Sequence, residues 1–222
     1  MSAPRPSSVT EDYLKVIWKS GEWSNEGIST NEIAQALGLS ASSVSGNLGK
    51  LARDGYIHHE PYGRIALTAK GTAIAVQMVR RHRLIETYLV EHHGYGWDEV
   101  HDEAEILEHA VSDRLLRLID EELGFPTQDP HGDPIPREDG SIVALEGRRL
   151  HEFAAGSDVV IVRVSDHDPA LLRYLESLGF AVGTRLRVDA VHDFAGSLTV
   201  ISDAGSRELA TLAANAIWVA AA

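Results

Sequence analysis

The sequence predicts a mainly α protein with small β elements: an N-terminal winged helix-turn-helix, a helical segment, and a small C-terminal β-barrel. Three observations predict it. Residues 11–68 carry short helical apolar periods, each stopped by glycine, and close on two brief extended runs. Residues 69–123 hold a helical period interrupted only at Gly94-Tyr95-Gly96-Trp97. Residues 184–219 turn to short extended runs divided by Gly and Asp.

Each element has a local cause. In residues 11–19 (EDYLKVIWK), Tyr13, Leu14, Ile17 and Trp18 share one helical face. Gly21 to Gly27 reads as a polar loop. Ser29 is placed to cap a short helix, with Glu32 completing a capping box. Ile33, Ala34 and Leu37 turn inward, and Gly38 ends the helix. Ser40 caps a second helix over 41–54, with Val44, Leu48 and Leu51 inward and Gly55 at its end. Residues 56–68 form two short strands around Pro61-Tyr62-Gly63. Helix, helix, tight turn, helix and hairpin is the order of a winged helix-turn-helix. A three-helix fragment of another α+β domain is the competing reading.

A long helix over 69–93 carries Arg80, Arg81 and Arg83. A second helix is expected over 98–123, with Ala104, Leu107, Val111, Leu115 and Leu118 as its apolar stripe. Residues 125–140 hold four prolines and two glycines and read as a loop or linker. A strand over 158–164, a short helix over 169–178 closed by Gly179, and further short strands complete the chain. The expected domains are 1–75 (DNA-binding), 76–140 (helical), a linker at 141–153, and 154–222 (barrel).

Charge narrows the function. The net charge is −13, and there is no cysteine. Disulfides, zinc–thiolate sites and a thiol nucleophile are therefore excluded. No run of about 18 apolar residues exists to span a membrane. The polar stretch from Met1 to Ser8 does not read as a secretory signal. A cytoplasmic protein is expected. Residues 1–75 carry 7 basic and 7 acidic side chains, and residues 141–222 carry 7 and 10. Residues 76–140 carry 6 basic against 16 acidic, a net −10 that repels itself unless cations sit within it.

The acidic segment contains ligating side chains in register. His101, Glu105, Glu108 and His109 fall within a face roughly 100° wide, beside the apolar stripe. The preceding helix offers His82 and Glu86, an i,i+4 pair beside Ile85 and Leu89. Imidazole nitrogen and carboxylate oxygen suit Mn²⁺, Fe²⁺, Co²⁺ or Zn²⁺. The competing reading is two solvated His- and Glu-rich helices. His92, His93, His131 and His151 fit neither pattern and read as surface residues.

Five stretches together are similar to one family: T-E-D-Y-L at 10–14, L-S-A-S-S-V-S at 39–45, R-R-H-R-L-I-E at 80–86, V-H-D-E-A-E-I-L-E-H at 100–109 and G-D-P-I-P at 132–136. The chain resembles the diphtheria-toxin-repressor-type, metal-dependent transcriptional regulators over nearly its whole length. The resemblance implies a winged helix, a helical dimerisation domain and a C-terminal SH3-like β-barrel. It implies two metal sites. One takes His82, Glu86 and His101, completed from the C-terminal domain by Asp168 with His167 behind it. The other takes Asp12, Glu105, Glu108 and His109. Iron-type members carry Met and Cys at the positions of Asp12 and Glu105. Carboxylates at both are the pattern of the manganese-sensing branch, which makes Mn²⁺ the expected ion. Lys15 stands where some short manganese sensors have a carboxylate.

The expected activity is repression: metal-loaded homodimers bind palindromic double-stranded operator DNA and control metal-ion homeostasis genes. Ser40, Ser42, Ser43 and Asn47 lie at the start of the recognition helix, and Lys50, Arg53, Arg64 and Lys70 supply phosphate contacts. Asn47 is suited to reading adenine. Gly46 stands where some members have Gln. Two other readings compete: a metal-independent winged-helix regulator, and a di-metal carboxylate enzyme in a helical bundle. The enzyme lacks its Glu-x-x-His pair on these two helices, and neither HExxH nor GxSxG occurs.

Overall fold

The computed structural model describes residues 6–23, 27–59 and 63–222. Two units divide the chain: residues 1–81 with 136–141, and residues 82–135 with 142–222.

In the first unit, α1 (Ser8–Trp23), α2 (Thr30–Ala36) and α3 (Ala41–Arg53) precede a two-stranded antiparallel wing, β1 (Ile57–His58) and β2 (Ala66–Leu67). α4 (Ala69–His93) follows, its residues from His82 onward belonging to the second unit. Both bonds of the capping box form: Glu32 N donates to Ser29 Oγ (3.3 Å) and Ser29 N to Glu32 Oε2 (2.7 Å). Ser40 caps α3 by accepting from Ser43 N at 3.2 Å. α1 is longer than its apolar period indicates. Its start is set by Ser7, whose hydroxyl accepts from Thr10 N and whose carbonyl accepts from Glu11 N. It also runs through Gly21, where a loop was expected. Tyr13, Leu14, Ile33, Val44, Leu48 and Ile65 form the core. Pro61 and Tyr62 of the expected turn lie outside the described residues.

The helix expected over 98–123 is two helices, α5 (Val100–Ala110) and α6 (Asp113–Glu122). Val111 turns extended (φ −67°, ψ 128°), and Ser112 caps a new start, its side chain accepting from Leu115 N. The break changes which leucines are covered. Leu116 and Ile119 are buried with Leu84, Ile85, Val100 and Ala104, whereas Leu115 and Leu118 remain 48% and 50% exposed.

The segment from 128 to 135 is not a solvated linker. Asp129, His131, Asp133 and Ile135 are all buried. The Asp129 carboxylate folds back to accept from the amides of His131 and Asp133, both at 2.9 Å. This closes the turn and carries His131 inside, against the expectation of a surface histidine. His92 and His93 are exposed as expected; His151 is half-buried.

The C-terminal part is a six-stranded antiparallel sheet. Its strands are β3 (Arg148–Arg149), β4 (Asp158–Val164), β5 (Arg185–His192), β6 (Ser197–Ser202), β7 (Gly205–Ala210) and β8 (Ile217–Ala221), in the order β3-β8-β4-β5-β6-β7. Irregularities at Ile161/Arg163 and Val188/Ala190 mark bulges, which bend strands. α7 (Pro169–Ser177) and the short α8 (Thr211–Ala214) cover a core that includes Ile161, Leu172, Phe180, Val200 and Val219.

Candidate metal centre

α4 and α5 carry six of the expected donors, at close range to one another. His82 Nε2 lies 2.9 Å from Glu86 Oε1 and 3.1 Å from His101 Nδ1. His101 Nδ1 is in turn 3.4 Å from the same Glu86 oxygen. On its other edge, His82 Nδ1 meets Glu108 Oε2 at 2.6 Å and Glu105 Oε1 at 3.8 Å. His109 Nε2 lies 3.4 Å from Glu108 Oε1. His82, Glu86 and Glu108 are buried, while His101 and Glu105 keep 37% of their side chains in solvent. The i,i+4 spacings put each pair on one face, and the apolar residues beside them bury that face. Among these donors, ligand atoms of His82, Glu86 and His101 lie within 4.8 Å of one another, as do those of His82, Glu105 and Glu108.

A third group meets the same criterion: Glu86, Asp129 and His131, all buried. The sequence reading missed Asp129 and His131. The available signal was the alternation Asp129-x-His131-x-Asp133, three ligating types two residues apart in a Pro- and Gly-rich run. His131 is oriented for ligation. Its Nε2 lies 2.6 Å from the Trp97 carbonyl, which can only accept, so the proton sits there. Nδ1 then carries the lone pair; it is buried and has no hydrogen-bond partner. A carbonyl that orients the far ring nitrogen is the usual support of a metal-bound histidine. The donor set therefore fits a divalent cation.

Electrostatics set the protonation of this group. Burial acts to raise the Glu86 carboxyl, but the His82 charge and hydrogen bonds from His101 and His82 outweigh it and hold Glu86 well below the ordinary carboxylate range. Burial pushes Asp129 up to about 8, reinforced by the Asp133 and Glu86 charges and opposed by His131 and Arg83. Burial works against a charged His131, yet the Asp129, Glu86 and Asp166 carboxylates raise it above its usual value.

One expected ligand stands apart from the donor groups among the described residues. Asp168 is exposed, and its carboxylate caps α7 by accepting from Ala170 N at 2.8 Å. None of the donor groups among the described residues includes it. The buried aspartate of this stretch is Asp166, and His167 is largely exposed. Asp12 lies half-buried on α1, in the other unit.

In the first unit the serines at the start of α3 form a hydroxyl cluster, with Ser40 Oγ 3.0 Å from Ser42 Oγ and 2.9 Å from Ser43 Oγ. Asn47 is less available than its position suggests. Its amide donates to the Tyr13 hydroxyl (3.1 Å) and the Ser43 carbonyl (3.3 Å), bracing α3 against α1. Lys50 and Arg53 are exposed along α3. Arg64 donates to Glu32 and to the Gly27 carbonyl, and Lys70 to the Asp54 carbonyl.

Known proteins resemble this chain along most of its length. Residues 6–65 match the N-terminal DNA binding domain of the iron dependent repressors, residues 68–137 their metal binding and dimerisation domain, and residues 148–221 the FeoA domain. The iron-dependent repressor IdeR of Mycobacterium tuberculosis is 32% identical over 212 residues, spanning 87% of this chain and 88% of that one. The chain belongs to the iron- and manganese-dependent repressor family. The diphtheria toxin repressor of Corynebacterium glutamicum is 30% identical across 95% of both chains. A manganese-dependent transcriptional repressor solved in complex with manganese is 49% identical, with a TM-score of 0.91, covering 96% of this chain and all of that one.

This repressor therefore carries its DNA-binding domain on α1–α3 and the wing, and its metal-binding and dimerisation domain on α4–α6. Its activity is metal-dependent transcriptional repression, a binding function and not a catalysed reaction. The metal-independent reading is set aside, because the metal-binding domain match contains six of the expected donors. Among the described residues, no helix is long and apolar enough to cross a membrane.

Proposed function

We propose that this repressor is a manganese sensor with two cation sites per chain. One site takes Asp12, Glu105, Glu108 and His109. The other centres on Glu86, drawing on His82 and His101 from one side and on Asp129 and His131 from the other. The observation that carries the manganese reading is the donor set: every proposed ligand is a carboxylate or an imidazole, and the chain has no cysteine. Hard oxygen donors favour Mn²⁺ by ligand type over softer ions, which otherwise bind more tightly. The neighbour solved with manganese supports the same ion. Fe²⁺ is the alternative that the iron-dependent relatives support.

A divalent cation, when bound, supplies the positive charge that this acidic domain lacks. Ligation by Asp12 together with Glu105, Glu108 and His109 joins the DNA-binding domain to the dimerisation domain. A state of the repressor that ligates better gains population as metal rises, and if that state also binds operator, the two affinities are linked. Ile106, Leu115, Leu118 and Phe125 are large apolar side chains that α5, α6 and the following turn leave exposed. They supply the face on which a second copy docks. A two-fold dimer presents two α3 helices to half-sites about one DNA turn apart. Ser40, Ser42 and Ser43 approach the groove, and Lys50, Arg53 and Arg64 neutralise phosphates.

Operator-fragment binding at fixed salt, titrated with Mn²⁺, Fe²⁺, Co²⁺ and Zn²⁺, tests the reading. Mn²⁺ is expected to tighten binding at the lowest free concentration relative to its cellular availability. Operator affinity that is the same with a chelator and with saturating Mn²⁺ would contradict it.

A further inference from the structure

The loop that carries Asp129 and His131 is held from two sides by arginines, one from each domain of the second unit. Arg83 on α4 is 1% exposed. It donates from Nη1 to the Pro134 carbonyl at 2.7 Å and places Nη2 3.3 Å from Asp133 Oδ2 and Nε 3.6 Å from Asp129 Oδ2. Arg163 comes from β4 in the C-terminal sheet, is 4% exposed, and pairs through Nε with the other oxygen, Asp133 Oδ1. Both oxygens of Asp133 thus face guanidinium groups, while Asp129 faces one.

The backbone ties the same loop to the same strand. Val164 N donates to the His131 carbonyl at 2.8 Å, and Gln128 Nε2 spans the Gly132 and Val162 carbonyls at 3.0 and 3.3 Å. Gly132 adopts φ +86°, and a Cβ there would lie 2.2 Å from the Val162 oxygen. Only glycine permits that approach. Arg163 therefore stands on the strand between two residues whose backbones already grip the loop.

We propose that Arg163 is a positioning residue for the cation site of Glu86, Asp129 and His131, acting through Asp133. The inference rests on the proposed use of that site. Asp129 and Asp133 are two buried carboxylates on one turn, and only one belongs to the donor group with Glu86 and His131. Arg163 and Arg83 together neutralise Asp133, which withdraws it from competition for the cation and leaves Asp129 to ligate. The C-terminal domain then contributes to this site by holding a ligand-bearing loop, where Asp168 had been expected to ligate directly. Loss of an outer partner of this kind typically costs 10- to 100-fold in metal affinity.

The test uses the full-length chain titrated with Mn²⁺ by calorimetry, with hydrogen exchange followed at the His131 and Val164 amides. Arg163→Met is expected to weaken one class of Mn²⁺ sites about 10- to 100-fold and leave the other unchanged. Arg163→Lys, which keeps the charge on Asp133, is expected to recover most of that loss. Asp133→Asn combined with Arg163→Met removes the carboxylate that Arg163 neutralises, so the double variant is expected to bind Mn²⁺ better than Arg163→Met alone. Asp129→Asn and His131→Gln remove proposed ligands and are expected to abolish the class. If those two leave both classes intact, the reading of the site fails. If they abolish one class while Arg163→Met and Arg163→Lys keep the parent's affinity, the site stands and the role of Arg163 is refuted. An Arg163→Met chain that does not fold shifts the decision to Arg163→Lys and the double variant; a double variant that folds but binds no better than Asp129→Asn overturns the proposal.

Discussion

Leu118 offers a direct measure of the dimer face. On α6 it is 50% exposed, next to a buried Ile119, so its outer half awaits a partner. Burying a whole leucine side chain is worth about 1.5–3 kcal/mol, so covering its open half contributes about 1 kcal/mol. A two-fold interface uses the residue twice, giving about 2 kcal/mol, or roughly 30-fold in the dimer dissociation constant. Leu118→Ala removes that contribution and raises helix propensity, so the fold is not weakened through the backbone. Leu212→Ala is the control: that side chain is 83% exposed, but on α8 of the C-terminal sheet domain. Sedimentation equilibrium across a range of protein concentrations, with saturating Mn²⁺, reads the dissociation constant. The expected result is a shift of about 30-fold for Leu118→Ala and none for Leu212→Ala. A Leu118→Ala dimer as tight as the parent, or equal shifts in both variants, would refute the assignment of this face.

Two further predictions concern the metal sites. Glu105→Cys replaces an oxygen donor by sulfur, so the metal preference is expected to move from Mn²⁺ toward Fe²⁺, Co²⁺ or Zn²⁺ while operator binding survives; an unchanged Mn²⁺ affinity would remove Glu105 from the ligand set. Asp129, raised by burial to about 8, binds a proton in the folded protein that the unfolded chain has already lost at neutral pH. Its contribution to stability is therefore present below the ordinary aspartate value and lost as pH rises through about 8, and ligation at neutral pH must release that proton. Calorimetry of Mn²⁺ binding at neutral pH in buffers of different ionisation heat should show proton release that diminishes above pH about 8. Release that is the same on both sides would contradict the protonation of Asp129.

How much of this was legible in the sequence depended on whether the cause was local. The capping box of Ser29 and Glu32 is four residues long, and both of its bonds form. His82, Glu86 and His101 were found because helical spacing alone puts His82 and Glu86 on one face. The break at Ser112 was hidden because Leu115 and Leu118 continue the period of Leu107 and Val111. A period reports that residues share a face, and it does not report what covers the face. Asp129 and His131 were missed for another reason. Their burial depends on a carboxylate that folds back on its own turn and on Gly132 meeting Val162, thirty residues away in sequence. Burial was equally hidden after β4: Asp166 is buried, while Asp168, two residues on, is exposed and caps α7.

In the proposed mechanism, a cation held by Asp12, Glu105, Glu108 and His109 links metal to DNA. Asp12 is the only one of the four in the first unit. The most direct measurement is operator affinity with and without saturating Mn²⁺, on the parent and on Asp12→Ala. A linkage of about 1–3 kcal/mol corresponds to roughly 5- to 150-fold in affinity. Mn²⁺ is expected to tighten operator binding within that range in the parent and almost not at all in Asp12→Ala. In the variant, Glu105, Glu108 and His109 should still hold Mn²⁺ more weakly, and the dimer should persist. An Asp12→Ala repressor that keeps the parent's full response to Mn²⁺ would contradict a linkage through Asp12.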